Sequence, residues 1–217
     1  MRFGILVFPG SWSHDDFGYV LREVMGLSAE LVWHKEETVA GYDCLILPGG
    51  FAHGDYLRCG AIARFSPVME EVAAHAQRGG KVIGICNGFQ VLTEAGLLPG
   101  VLLRNKTLKF LCQEVELEVV TAATPFTRRC AAGQSLRMPI AHGDGNYYLD
   151  DDGLKRLEGE GQVVFRYRSN PNGSRNDIAG VCNAGKNVLG MMPHPERAAE
   201  ALLGSTDGRL VFESLLA

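Results

Sequence analysis

The fold is decided by the stretch Lys81-Val-Ile-Gly-Ile-Cys-Asn-Gly-Phe-Gln90. A short apolar run ends in Gly-x-Cys-x-Gly, and a short helix is predicted to follow from Phe89 to Ala95. A strand that turns at once into a helix at such a motif is typical of α/β hydrolases, which carry their nucleophilic serine there. We therefore predict a nucleophile elbow with Cys86 at its tip.

The same alternation of strand and helix runs through the whole first half. This βαβ rhythm predicts a parallel sheet with helices on both faces. The second half changes character, because its strands are separated by loops rich in Asn, Gly and Pro. With 217 residues, 46% of them hydrophobic, and no repeat or linker, residues 1–217 are predicted to form a single domain. The predicted strands lie at Phe3–Phe8, Ala29–Trp33, Cys44–Leu47 and Lys81–Ile85, then at 115–120, 162–168, 178–182 and 188–192.

The composition of the chain argues against several classes of protein. The formal net charge is −4, and no basic patch suggests a nucleic-acid partner. No apolar run approaches the roughly 18 residues of a membrane span. The six cysteines form no Cys-x-x-Cys pair, so the spacings typical of zinc and thioredoxin sites are absent, and no metal site is predicted. These features together indicate a protein of the reducing cytoplasm.

Cys86 has the local setting of a reactive thiol. Glycines at 84 and 88 suit a sharp turn, because a Cβ at either position would collide with the neighbouring strand or helix. The start of a helix also favours a thiolate. The N–H of Asn87 is the first predicted oxyanion donor. The second comes from Gly50, in the glycine-rich turn after the third strand. The alternatives are a buried structural cysteine, which is preferred for the other five, and an ordinary turn at Gly50.

A general base and its orienting acid are predicted in Pro193-His-Pro-Glu196. Pro195 favours an extended conformation for His194, so the side chains of His194 and Glu196 can point the same way and meet. Glu196 would then hold the imidazole tautomer, as the acid of a catalytic triad does. The competing pair is His142 and Asp144, which have the same spacing; a loop histidine at the surface is the alternative there.

Several longer segments extend this pattern over nearly the whole chain. On them the sequence resembles the class I glutamine amidotransferases, and more closely the glutaminase subunits of phosphoribosylformylglycinamidine synthase. The resembling segments are Phe8-Pro-Gly-Ser11, Pro48-Gly-Gly-Phe-Ala-His-Gly-Asp-Tyr-Leu-Arg58, Gly84-Ile-Cys-Asn-Gly-Phe-Gln90, Leu103-Arg-Asn-Lys106, Pro139-Ile-Ala-His-Gly-Asp-Gly-Asn-Tyr147, Asn170-Pro-Asn-Gly-Ser174 and Gly190-Met-Met-Pro-His-Pro-Glu-Arg197.

The resemblance implies a mostly parallel, flavodoxin-like sheet flanked by helices, with the elbow at the carboxyl edge of a strand. It implies hydrolysis of L-glutamine to glutamate and ammonia through a glutamyl thioester. The ammonia would pass to an ATP-dependent synthetase subunit that converts formylglycinamide ribonucleotide to the amidine in purine synthesis. A small accessory subunit would complete the complex. ATP and magnesium would belong to the synthetase, and no cofactor is expected in this chain.

The resemblance also implies residue roles. Cys86 would be the nucleophile, His194 the base and Glu196 its orienter, while Gly50 and Asn87 would supply the oxyanion donors. Three further residues would bind the substrate: Gln90, His142 and Gly143.

The chain departs from the family pattern at Trp12-Ser13, where Asn-Cys is frequent, and at Asp144, where Glu is frequent. Three alternatives stay open. The first is an amidotransferase of another synthetase. The second is a DJ-1/PfpI-type cysteine hydrolase or chaperone, although these tend to have His in place of Asn87. The third is an inactive regulatory module.

Overall fold

A large central sheet and the helices around it organise residues 1–217, all of which the computed structural model describes. The strands are β1 (Arg2–Val7), β2 (Ser28–Trp33), β3 (Cys44–Leu47), β4 (Lys81–Ile85), β5 (Val101–Leu103), β6 (Leu111–Val119), β7 (Ser135–His142), β8 (Asn146–Tyr148), β9 (Val163–Tyr167), β10 (Ile178–Cys182) and β11 (Val188–Met191). The α-helices are α1 (His14–Tyr19), which continues as a π-helical turn over Val20–Val24, α2 (Val68–Gln77), α3 (Asn87–Glu94), α4 (Asp151–Gly159) and α5 (Arg209–Leu215).

The nine-stranded sheet has the order β2-β1-β3-β4-β11-β10-β9-β6-β7. Pairing is parallel from β2 to β11 and antiparallel from β11 to β7. The order β2-β1-β3-β4 is that of a flavodoxin-like sheet, so the predicted fold class is confirmed. The antiparallel strands of the second half extend that parallel block on one side. The short strands β5 and β8 pair separately.

Hydrophobic burial explains which strands lie at the centre. All four residues of β3 and of β11 are buried, as strands covered by helices on both faces require. In β6, by contrast, buried and more exposed residues alternate towards its end. One hydrophobic cluster of 55 buried residues contains side chains from both halves of the chain.

Two elements near a proline differ from the sequence-based expectation. The helical spacing of apolar residues over 62–76 predicts one helix there, but α2 begins only at Val68. Pro67 restricts Ser66 to an extended conformation (ψ 139°), which separates α2 from the 3₁₀ turn before it. The strand β7, which contains Pro139, was not among the predicted strands. The proline is tolerated because β7 is the edge strand of the sheet. No helix in the structure has the length and apolar character needed to cross a membrane.

Candidate active site

The elbow predicted around Cys86 is present. Cys86 connects β4 to α3 and has φ 51° and ψ −107°, a backbone conformation that is costly for a residue with a side chain. Two backbone hydrogen bonds hold it: its N–H donates to the carbonyl of Met191 (2.9 Å), and its carbonyl accepts from the N–H of Gln90 (3.2 Å). The surrounding strand and helix therefore fix the strained residue.

The two glycines of the motif are required by close backbone approaches. A Cβ on Gly84 would lie 2.6 Å from the carbonyl oxygen of Gly88. A Cβ on Gly88 would overlap the carbonyl oxygen of Leu47, at the end of β3. The collisions predicted from the sequence, with helix α3 in one case and with a neighbouring strand in the other, are thus confirmed.

His194 and Glu196 form a buried pair. The Nδ1 of His194 lies 2.6 Å from Oε1 of Glu196, and the two residues are 3% and 1% exposed. His194 is extended, as predicted (φ −102°, ψ 93°), and its N–H donates to the carbonyl of Pro139 at 2.9 Å. Glu196, however, lies in a 3₁₀ turn over Pro195–Arg197. The two side chains therefore meet through a turn rather than along one extended segment.

Cys86 and His194 face each other across Gly49. A Cβ placed on Gly49 would lie 2.8 Å from Cε1 of His194 and 3.5 Å from Cβ of Cys86. The Nε2 of His194 is buried and has no hydrogen-bond partner within the protein. The competing pair at His142 and Asp144 has no such arrangement, because Nδ1 of His142 contacts Asn105 instead (3.0 Å).

The electrostatics of the pair favour a charged ring. Burial alone lowers the pKa of His194, but the carboxylate of Glu196 and the sulfur of Cys86 oppose it, and the pKa rises to about 10. The carboxylate is the larger of these two raising influences. His194 is therefore an imidazolium at neutral pH, and it places a positive charge beside the sulfur of Cys86.

A cavity of about 300 Å³ opens above these groups. Its volume suits a small substrate, and the aromatic rings of Trp12 and Phe51 form an edge contact at its wall (ring centroids 6.4 Å apart). Trp12, a departure from the family pattern, thus belongs to the cavity. The lining residues are Trp12, Gly49, Gly50, Phe51, Cys86, Phe110, Ala141, His194 and Arg197.

The two predicted oxyanion donors lie on adjacent loops. Neither the N–H of Gly50 nor that of Asn87 has an acceptor within the protein. Gly50 has φ +149°, and a Cβ there would lie 2.6 Å from the backbone nitrogen of Trp12, so a glycine is needed. Ala52 donates its N–H to Oδ1 of Asn87 (3.0 Å), which joins the two loops. Both N–H groups are free to donate to a substrate.

None of the three predicted substrate-binding residues lines the cavity. Both ends of the Gln90 amide are used within the protein: Nε2 donates to the carbonyl of Asp144 (2.6 Å) and Oε1 accepts from Nδ2 of Asn87 (2.9 Å). Ala141, the residue before His142 and Gly143, does line the cavity. Direct contact of these three residues with substrate stays a prediction.

Residues that the sequence interpretation did not single out also shape the site. Phe110 and Arg197 line the cavity, and Arg197 donates from Nε to Asp16 (3.1 Å). Asn105 is fully buried against the loop that begins at His142. Asn105 and Arg197 both fall inside segments that carried the family resemblance, which was the only sequence signal for them.

The remaining cysteines are not disulfide-bonded. Burial raises the pKa of Cys44 to about 12 and the pKa values of Cys130 and Cys182 to about 11. Burial and the nearby carboxylate of Asp55 raise the pKa of Cys59 still further. These four thiols are therefore poor nucleophiles near neutral pH.

The class follows from this fold and site together with a sequence match. Residues 1–208 match the model of the CobB/CobQ-like glutamine amidotransferase domain. The PurQ subunit of phosphoribosylformylglycinamidine synthase from Alkaliphilus metalliredigens is 57% identical over 216 residues, covering 100% of this chain and 96% of that protein. Its counterpart from Moorella thermoacetica is 55% identical over 225 residues, with 100% and 95% covered. The chain belongs to this family of PurQ glutamine amidotransferase subunits.

Solved structures agree with this assignment. A chain in the structure of PurLQS from Thermotoga maritima superimposes with a TM-score of 0.91 at 45% identity, covering 99% of this chain and 97% of that one. A glutamine amidotransferase from the same organism has a TM-score of 0.60 at 19% identity, covering 99% and 90%. The second likeness shows the fold alone.

Proposed function

We propose that this chain is the glutaminase subunit of a phosphoribosylformylglycinamidine synthase and acts in the cytoplasm. It hydrolyses L-glutamine and delivers the ammonia to an ATP-dependent synthetase subunit. The observation that carries the proposal is the strained Cys86 elbow facing the buried pair of His194 and Glu196, in a chain 57% identical to a PurQ subunit.

In the first half-reaction, the sulfur of Cys86 attacks the carboxamide carbon of glutamine. The C=O π electrons move to oxygen, and the N–H groups of Gly50 and Asn87 donate to the resulting oxyanion. The imidazolium of His194 gives its Nε2 proton to the amide nitrogen, the C–N bond breaks, and ammonia leaves. A glutamyl thioester on Cys86 remains, and His194 is now neutral.

In the second half-reaction, water hydrolyses the thioester. Neutral His194 takes a proton from the water while the oxygen attacks the thioester carbon. The tetrahedral intermediate collapses, the C–S bond breaks, and glutamate departs. Cys86 is left as a thiolate beside an imidazolium, which restores the starting state. Throughout the cycle Glu196 holds the Nδ1 proton of His194 and stabilises the ring's positive charge.

The partners follow from the family. The curated relatives are named as the PurQ subunit of phosphoribosylformylglycinamidine synthase. The similar structure from Thermotoga maritima is named PurLQS, after the subunits PurL, PurQ and PurS. A PurL-like synthetase would convert formylglycinamide ribonucleotide to the amidine with this chain's ammonia, and a PurS-like subunit would complete the assembly. ATP and magnesium would act in the synthetase, and this chain would need no cofactor.

Replacing Cys86 by Ala tests this division of labour. The assembled complex carrying this variant should lose amidine synthesis with glutamine, because no thioester can form. It should keep synthesis with ammonium chloride at alkaline pH, since free ammonia bypasses the glutaminase. The substitution removes a sulfur atom and little volume, so folding and docking should survive. Amidine product is measured with each nitrogen source.

A matched variant is Cys112→Ala, which removes an exposed thiol that does not line the cavity and should leave both activities intact. The proposal fails if Cys86→Ala loses both activities equally while the complex still assembles. That result would place Cys86 in the synthetase step.

A further inference from the structure

Ser13 holds the pair of glycines that follows β3, and it is 0% exposed. Its hydroxyl oxygen accepts the N–H of Gly49 (2.8 Å), and its own backbone N–H donates to the carbonyl of Gly49 (3.1 Å). The same carbonyl also accepts the N–H of Trp12 (3.0 Å). Both peptide groups that flank Gly49 are therefore bonded to the short turn before α1.

The hydroxyl of Ser13 does not cap the helix that begins beside it. Ser13 is the N-cap residue of α1, and a serine side chain at such a position typically accepts an N–H of the first helical turn. No such bond is present, and the hydroxyl accepts from Gly49 instead. The carbonyl of Ser13 accepts the N–H of Phe17 (3.0 Å), so the helix fixes the backbone from which the hydroxyl extends.

These bonds determine the direction of the N–H of Gly50. The peptide between Gly49 and Gly50 is trans, so this N–H points away from the carbonyl of Gly49, which faces the turn. Gly50 lies opposite Ser11 in an isolated antiparallel bridge, and the residues on either side of this pair make its hydrogen bonds. The N–H of Gly50 therefore points away from the turn. It has no acceptor in the protein, and Gly50 lines the same cavity as Cys86.

Glycine is needed at both positions, but glycine alone leaves the peptide between them free to rotate. A Cβ on Gly49 would lie 2.8 Å from Cε1 of His194. Gly50 has φ +149°, which a residue with a side chain rarely adopts. Because glycine adopts positive and negative φ with similar ease, the peptide could turn its carbonyl oxygen to the cavity, where it would repel an oxyanion. The hydrogen bonds of Ser13 oppose this rotation.

We propose that Ser13 is a positioning residue: its hydroxyl and its N–H hold the peptide between Gly49 and Gly50 in the orientation that directs the N–H of Gly50 to the oxyanion. This inference rests on the proposed function, in which that N–H donates to the oxygen of the glutamine carboxamide. Ser13 itself does not line the cavity. Its effect is therefore largest in the transition states, where the oxygen is charged, and small in the binding of glutamine.

The test is Ser13→Ala in the assembled complex, with kcat and KM for glutamine measured at neutral pH. The variant keeps both N–H donors to the carbonyl of Gly49 but leaves the N–H of Gly49 without an acceptor. We expect kcat to fall by about 10-fold, the factor for one lost hydrogen bond between neutral groups, and by less than the about 10²–10³ that follows complete loss of an oxyanion donor. KM should change by less than about 2-fold. Ser13→Cys, which restores a weaker acceptor, should recover part of kcat.

The reactivity of Cys86 separates this role from a general loss of structure. Dipyridyl disulfide reacts with a thiolate by disulfide exchange, so no oxyanion forms and the N–H of Gly50 has no part in the reaction. Its rate at Cys86, followed by peptide mass spectrometry, should be the same in Ser13→Ala as in wild type. A substitution that merely disturbed the elbow or the approach of His194 would slow this reaction as well.

Ser214→Ala is the matched control. Ser214 is also 0% exposed, and its hydroxyl oxygen accepts a backbone N–H, that of Arg129, at 3.0 Å. It does not line the cavity. Its loss removes a buried hydrogen bond of the same kind and should leave kcat, KM and the rate of disulfide exchange at Cys86 unchanged.

The inference is overturned if Ser13→Ala keeps the wild-type kcat, or if it slows disulfide exchange at Cys86 by the same factor as kcat. It is also overturned if Ser214→Ala lowers kcat as much. If Ser13→Ala does not assemble, Ser13→Cys takes its place: a lower kcat with KM kept supports the inference, and a wild-type kcat overturns it. If the wild-type complex fails to hydrolyse glutamine, the proposed function is wrong instead.

Discussion

The substitution Glu196→Gln isolates what the carboxylate contributes to the candidate triad. Gln keeps the size of the side chain and an oxygen that can accept from Nδ1 of His194, so the contact now at 2.6 Å can persist. Only the negative charge is removed. Burial of His194, which by itself lowers its pKa, then dominates, and the ring should be neutral at pH 7.

The size of the effect follows from the pKa of His194. A pKa of about 10, against the ordinary 6.5, corresponds to on the order of 5 kcal/mol in favour of the charged ring, at 1.36 kcal/mol per pH unit. Because the variant loses the imidazolium that gives its proton to the leaving amine, kcat should fall by on the order of 10²–10⁴. The variant should also lose the stability that the raised pKa of His194 gives to the folded protein. A raised folded-state pKa stabilises the protein fully below pH 6.5, and this contribution is lost as the pH rises towards 10.

The assay measures glutamate production by the assembled complex from pH 6 to 9, together with the thermal midpoint of the chain over pH 6 to 10. Wild type should lose stability across the upper part of that range, and Glu196→Gln should lose much less. The control is Glu200→Gln, which alters a nearby carboxylate that contacts the hydroxyl of Tyr19 at 3.4 Å. The reasoning is refuted if Glu196→Gln keeps wild-type kcat at every pH.

Two further predictions concern the elbow. A chloroketone analogue of glutamine should label Cys86 before any other thiol, including the exposed Cys112, because only Cys86 lies in the cavity beside an imidazolium; peptide mass spectrometry gives the order, and earlier labelling of Cys112 would contradict the assignment. Gly88→Ala should lower the free energy of unfolding by about 1–3 kcal/mol or prevent folding, since its Cβ meets a strand carbonyl. Gly159→Ala, at an open helical position with nothing within 4 Å, should instead stabilise by about 0.5–1 kcal/mol in the same denaturation experiment.

Local patterns were sufficient to predict the parallel half of the sheet and the elbow. The apolar runs of β1, β3 and β4 are buried strands of four to six residues whose ends are marked by Pro or Gly. The motif around Cys86 could also be recognised locally, although one of its glycines, Gly88, is required by the carbonyl oxygen of Leu47 in β3. The fold of this part could therefore be predicted from neighbouring residues alone.

Features that depend on contacts distant in sequence could not be predicted in the same way. The strand β7 contains Pro139, and only its place at the sheet edge makes it acceptable. The hydrogen bonds of Asn105 reach partners up to 40 residues away, which no local pattern contains.

The register between β4 and β11 sets the geometry of the candidate triad. The two strands are parallel neighbours, with Gly84 opposite Gly190 and Ile85 opposite Met191. Cys86 follows β4 directly and His194 lies three residues beyond β11, so both emerge at the same edge of the sheet. A slip of two residues would keep the buried faces but move one strand by about 7 Å, which is enough to separate the sulfur from the imidazole. Gly84 and Gly190 therefore contribute to the geometry of the catalytic residues. They allow α3 to pack on these strands in the one register that brings nucleophile and base together.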